Sequence, residues 1–402
     1  GDYAVGAVGT ANSYIGIFII MFSIISSGMV SVMTQNIGAG RPGVAYQARQ
    51  LGLLFNAVAG VLMAVFLFSG AGAILRMVGI ADALYEPALI YLKIVGGGCI
   101  LNAVIPIFSS YLRAFGYTKQ PLYATIVGNI ANFVMNAVFL FVLHKGVAGV
   151  AAATVISKIL NLCIVLYFSH KLISAKNSTE RIANKTVLGQ IVKVGLPSAC
   201  ETALYNVAMM LVIRFLNQMD AEGLNVTARS YTATISNFSY CVGAALAQAN
   251  AIMTGWHIGA GELEECDRGT KRAAFVGVCV AVCMETAIVL GSGFIMPLFT
   301  DNPEMTALVR KLLAIDIVLE IGRVTNLVFG QALKTSGDAV FPAVIAAVFM
   351  FVFAVGGTWL FGISMGLMAV GAYIGLASDE CVRAVGMVWR WKTGKWRTKK
   401  LV

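Results

Sequence analysis

Charge is scarce in this chain. Asp, Glu, Lys and Arg together make up 12% of its 402 residues, about half of what a soluble globular domain carries. A chain of this length cannot hide 58% hydrophobic residues in ordinary cores, so lipid must be the solvent around most of it. Histidine is rarer still. His144, His170 and His257 lie scattered near helix ends and offer neither a metal centre nor a triad. The eight cysteines form no CxxC pair, and Cys279 and Cys283 share a helix face with no His or Asp to complete a metal site. They read as small reduced thiols. No HExxH set or nucleophile–base pair is present, which argues against an intramembrane enzyme, and no cofactor or metal is expected. No cleavable signal peptide is visible, and residue 1 is Gly.

What is present is apolar length. A helix needs about 20 apolar residues to cross a bilayer. Eleven stretches qualify, at 11–34, 48–75, 87–115, 120–143, 147–169, 190–216, 228–256, 270–299, 305–333, 340–363 and 366–390. Pro106 predicts a kink inside the third. Turn residues separate them: GAGRPG at 38–43, GYTKQP at 116–121, TDNPE at 300–304 and SGDAVFP at 336–342. Alternate connections and the tail hold 19 of the 29 Lys and Arg, against five on the other side and five within helices. The basic side is expected to be cytoplasmic, so the net charge of +10 answers to anionic lipid heads and not to nucleic acid. Trp389, Trp391 and Trp396 beside the basic tail read as an interfacial anchor.

An internal repeat organises the spans. Ile37-Gly38-Ala39-Gly40 recurs as Ile258-Gly259-Ala260-Gly261, 221 residues on. Leu112 to Gly116 followed by Pro121 recurs as Leu333 to Gly337 followed by Pro342, at the same offset. That displacement crosses six helices, an even number, so both copies share one membrane orientation and the repeat is parallel. An offset of 222, with one residue gained near a loop, aligns Lys158 with Glu380. The expected fold is therefore an all-α polytopic membrane protein of two six-helix-type bundles, eleven helices being present and twelve expected in full length. The expected domains are 1–170, a cytoplasmic linker at 171–189, a second bundle at 190–390 and a basic cytoplasmic tail at 391–402. Asn177-Ser178-Thr179 in the linker fits a glycosylation triplet that means nothing on the cytoplasmic side.

Laid out this way, the chain resembles the multidrug and toxic compound extrusion (MATE) family over essentially its whole length. The resemblance rests on GDYAVGAVGTAN at the start, Gln35-Asn36-Ile37-Gly38-Ala39-Gly40, Val194-Gly195-Leu196-Pro197-Ser198, Ala332 to Asp338, Asp379-Glu380-Cys381-Val382-Arg383 and Arg390-Trp391-Lys392. It implies a V of two bundles around a central cavity. It also implies a secondary antiporter exporting organic, cationic or amphipathic compounds against H+ or Na+ across a bacterial-type inner membrane, working as a monomer. A lipid or lipid-linked oligosaccharide flippase of the wider superfamily shares the two-bundle plan. That alternative calls for a more basic cavity than six intramembrane acids against five bases supply.

A charge at bilayer depth is a functional candidate by default. The six acids are Glu201, Glu285, Asp316, Glu320, Asp379 and Glu380. Asp316, Glu320 and Arg323 sit at i, i+4 and i+7 and share a face. Two carboxylates cannot both be neutralised by one guanidinium, and the one left over can exchange a proton or attract a cation. The bland alternative is a Glu320–Arg323 salt bridge with Asp316 hydrated. Glu285 has no visible partner in the sequence. Sodium-linked members of the family resemble one another in two acids whose places here fall at Tyr205 and Arg323, which favours a proton slightly over sodium. The candidate site is thus Glu320, Asp316, Arg323, Glu201, Asp379, Glu380, Tyr205 and Asn326. Met209, Met210, Phe238, Tyr240, Phe349 and Met350 are weaker candidates for a drug-lining surface.

Overall fold

The computed structural model describes residues 2–77, 82–173, 180–220 and 222–402, and all its regular structure is helical. Gly1, Lys176 and the triplet Asn177-Ser178-Thr179 lie outside the described residues. The helices are α1 (Asp2–Gly38), α2 (Pro42–Met77), α3 (Asp82–Gly97), α4 (Cys99–Ala114), α5 (Lys119–Ala137), α6 (Gly146–Leu172), α7 (Asn184–Met219), α8 (Leu224–Ala260), α9 (Leu263–Ile295), α10 (Pro303–Ser336), α11 (Val340–Phe349) and α12 (Met368–Lys392). With α3 and α4 counted as one broken span, these are the eleven stretches expected from hydropathy. The chain is an all-α polytopic membrane protein.

Seven of these spans are apolar enough to cross a membrane on composition alone: α2, α3 with α4, α5, α6, α7, α9 and the α11 region. Among the described residues, α8, α10 and α12 fall short, and these helices carry most of the buried polar groups of the second half.

The third stretch breaks at Gly98 and not at Pro106. Gly98 sits at φ −81°, ψ 7° between α3 and α4, and Pro106 is carried inside α4 without interruption. The run Gly96-Gly97-Gly98 explains the break, because consecutive glycines leave the backbone least constrained.

The chain divides into two compact units, 1–196 and 197–402. The division falls within α7, at Pro197. In the first unit the early part of α7 packs on α1 backbone against backbone. A Cβ on Gly28 would stand 1.9 Å from the Ile191 carbonyl oxygen, and one on Gly195 would stand 1.8 Å from that of Ile24. Only glycine permits that approach. In the second unit α10 is the hub, packed against α8, α9 and α12.

The repeat is written into the backbone. Gly40 and Gly261 both turn left-handed, at φ 74° and 80°, and Gly116 and Gly337 do so at 85° and 98°. These pairs keep the 221-residue offset. Before α6, His144 and Gly146 have φ 48° and 56°; before α12, Gly366 and Met368 have 69° and 52°. These pairs are 222 residues apart. The extra residue has a local cause. The first half carries one π-helical turn in this region, Val138–Val142, and the second carries two, Met350–Val355 and Thr358–Ser364. A π turn takes up one more residue than an α turn.

A candidate ion and substrate site in the second unit

α7, α8, α10 and α12 enclose a cavity of about 340 Å³ that lies wholly within the second unit. Its polar lining comes from Tyr205, Arg229, Ser236, Asn237, Tyr240, Asp316, Arg323, Tyr373, Asp379 and Glu380. Three of these helices, α8, α10 and α12, are the ones too polar to read as simple membrane spans, and all the charged groups of the lining come from them.

The site is organised around Glu380 of α12. Its Oε1 accepts from Arg383 Nη2 at 2.8 Å and lies 3.7 Å from Arg323 Nε. Its Oε2 accepts from Asn326 Nδ2 at 3.0 Å. Arg383 also grips Asp379, with Nε to Oδ1 at 3.0 Å and Nη2 to Oδ2 at 2.7 Å. Arg323 pairs with Glu320 on its own helix, and its guanidinium stands 5.7 Å from the Tyr240 ring centroid. Two arginines therefore hold Glu320, Asp379 and Glu380 in one network between α10 and α12. Planar, multi-donor guanidinium groups suit this bridging role in a way a lysine would not.

Asp316 stands apart. It is buried, at 3% exposure, and its Oδ2 has no hydrogen-bond partner. It lines the cavity wall while Glu320 does not. The Glu320–Arg323 bridge is thus present, and the carboxylate left outside the arginine pairs is Asp316, with one oxygen unpartnered.

Glu201 lies elsewhere. Its Oε2 pairs with Lys334 Nζ at 2.7 Å, and it is not among the cavity residues. Tyr205 and Arg323 both line the cavity. Of the aromatic and Met candidates, Tyr205, Met209 and Tyr240 reach the cavity. Met210 and Phe238 are exposed on the outside, and Met350 packs in a small apolar cluster with Ala208 and Ala346. Sequence reasoning did not single out Arg229, Ser236, Asn237 or Tyr373; of these Arg229 alone bears a charge, and it stands at the very start of the 228–256 stretch.

The tail also departs from expectation. Trp391 and Trp396 are not an interfacial anchor. They are buried and stacked on each other, 4.1 Å between centroids and 9° between planes. Trp391 Nε1 donates to Asp267 Oδ1 at 2.7 Å, and Arg397 pairs with Glu264 at 2.7 Å. The tail is therefore folded against the start of α9, and the Trp396 indole donates to the Trp391 carbonyl at 3.0 Å, so both indole N–H groups are satisfied inside protein. Trp389 alone is exposed.

A polytopic helical chain with a buried charged cavity, and with no enzyme-like constellation in its sequence, is a membrane transporter. The comparisons agree. The MatE family model matches residues 1–138 and 197–360, and the chain belongs to that family, whose members are transporters and not enzymes. It is 31% identical over 404 residues to YisQ of Bacillus subtilis (strain 168), described as an uncharacterized transporter, covering 99% of this chain and 88% of that one. It is 19% identical over 412 residues to NorM of Thermotoga maritima, a probable multidrug resistance protein, covering 99% and 87%. Its fold is similar to the crystal structure of MATE in the straight conformation, with a TM-score of 0.87, 21% identity and coverage of 99% and 89%.

Proposed function

We propose that this transporter is a secondary antiporter that exports organic cations or amphipathic compounds across a bacterial-type inner membrane, with its linker and tail on the cytoplasmic side. The observation that carries this reading is the cavity carboxyl Asp316, buried and only partly bonded beside a network whose arginines are already engaged. A group of that kind attracts a cationic substrate when ionised and releases it when protonated, which is the exchange an antiporter needs. The likeness to NorM supports drug-like substrates, and the basic connections support the orientation. A proton is the favoured coupling ion. The resemblance supports this, because the places that hold acids in sodium-linked members fall at Tyr205 and Arg323 in this chain.

Ethidium efflux from pump-deficient bacteria expressing the full-length protein tests this. Efflux that a proton uncoupler abolishes, and that Asp316→Asn eliminates, is the expected result. Undiminished proton-driven efflux by Asp316→Asn removes the residue from the mechanism. No dye export alongside translocation of a fluorescent lipid-linked sugar makes the protein a flippase.

A further inference from the structure

α9 buries a glutamate that the cavity does not use. Glu285 is 0% exposed. It lies ten residues from the end of α9 at Ile295, about 15 Å along the helix at 1.5 Å per residue. That is close to mid-membrane. Its carboxyl oxygens have no backbone or charged hydrogen-bond partner. α9 packs on α8 and α10, and the groups that face Glu285 come from those two helices. From α10 they are Asp316, Glu320 and Arg323; from α8 it is Ser239, whose hydroxyl is the hydrogen-bonding neighbour of the carboxyl.

Three carboxyls therefore face one guanidinium, and that guanidinium is already committed to Glu320 and Glu380. An ionised Glu285 would stand in apolar surroundings with two carboxylates for neighbours and no cation of its own. A charge so placed costs several kcal/mol and is avoided by taking up a proton.

We infer that Glu285 is a second proton-holding carboxyl, a store set behind the cavity that exchanges its proton with Asp316. In the forward step the O–H bond of Glu285 breaks, the proton passes to an ionised Asp316 oxygen, and the negative charge is left on Glu285. The return of a proton from the cavity through Asp316 reverses it. Glu285 does not line the cavity and Asp316 does, so Asp316 is the gate and Glu285 the store. This rests on the antiport reading and adds to it a second proton and a residue on a different helix.

Infrared difference spectra of the purified full-length protein, together with proton release on adding ethidium in weakly buffered solution, test it. Wild type should show two protonated-carboxyl carbonyl bands, one lost in Glu285→Gln and the other in Asp316→Asn. Glu285→Gln should still bind ethidium while releasing one proton fewer per dye, and Glu285→Asp should restore both band and proton. A Glu285→Gln spectrum and proton count identical to wild type overturn the inference. A Glu285-dependent band in a wild-type protein that releases no proton on binding dye overturns it through the antiport reading, a distinguishable failure. If Glu285→Gln does not fold, Glu285→Asp is read alone. A shifted carbonyl band supports the store, and an unshifted one overturns it.

Discussion

Gly322 of α10 and Glu380 of α12 meet backbone to backbone. A Cβ on Gly322 would fall 2.8 Å from the carbonyl carbon of Glu380 and 2.7 Å from the amide nitrogen of Cys381. This contact sets the distance across which Arg323 and Asn326 reach Glu380. Gly322→Ala must push the two helices apart, and overpacking of this kind costs about 1–3 kcal/mol. Gly330→Ala, on the same helix with its nearest outside atom 3.9 Å away, is the control. We expect Gly322→Ala to lower the melting temperature of the purified protein and its ethidium efflux, and Gly330→Ala to do neither.

Arg383 is 4% exposed and bonds two carboxylates at once. Removing it leaves both buried without that cation. Breaking a buried pair on one side costs about 3–5 kcal/mol. Arg383→Leu should lose that much in thermal unfolding followed by size-exclusion fluorescence. Arg383→Lys should recover only part of the loss, because an ammonium cannot offer the paired donors of a guanidinium to Asp379.

The tail carries stability of its own. Trp391→Ala removes the stacked partner of Trp396 and the donor to Asp267, and truncation of a buried aromatic costs about 3–5 kcal/mol. The variant should melt early, and limited proteolysis should cut near residue 396 first. A tail that stays resistant would show that the Arg397–Glu264 and Arg390–Asp338 pairs hold it alone.

Between α7 and α8, Asp220 accepts hydrogen bonds from the Leu224 amide at 2.8 Å and the Asn225 amide at 3.0 Å, while Asn225 Oδ1 accepts from the Ala369 amide at 2.9 Å. Partial burial pushes the Asp220 carboxyl up, but the hydrogen bonds from Asn225 and Leu224 outweigh it and leave the group below its ordinary value. A depressed folded-state value stabilises the fold above the unfolded value and is lost as pH falls through the folded one. Asp220→Ala should therefore cost about 1 kcal/mol near neutral pH, as a lost helix cap does. The difference from wild type should shrink below about pH 4, where the unfolded carboxyl takes up its proton. Melting curves at pH 7 and at the acid limit of stability check both halves.

Much of the architecture was legible in the residues. Scarcity of charge meant lipid as solvent, apolar length located eleven spans, and the recurrence of Ile-Gly-Ala-Gly at a fixed offset revealed a duplicated plan whose left-handed glycines the backbone bears out. The spacing of Asp316, Glu320 and Arg323 placed them on one face of one helix. That reading is local, because a helix repeats every 3.6 residues whatever surrounds it.

What the sequence determined by itself was the solvent, the number of spans and the list of charges too costly to be incidental. The tertiary structure decided which helix each charged face meets. It sent Glu201 to Lys334, tied Glu380 to two arginines and an amide, left one oxygen of Asp316 unpartnered in the cavity wall, buried Glu285 away from the cavity and drew Trp391 and Trp396 inside. The reason is physical. Periodicity reports which side chains share a face, but the partner of that face comes from helices far along the chain. Their approach is set by close-contact glycines such as Gly322, not by any pattern in the helix itself.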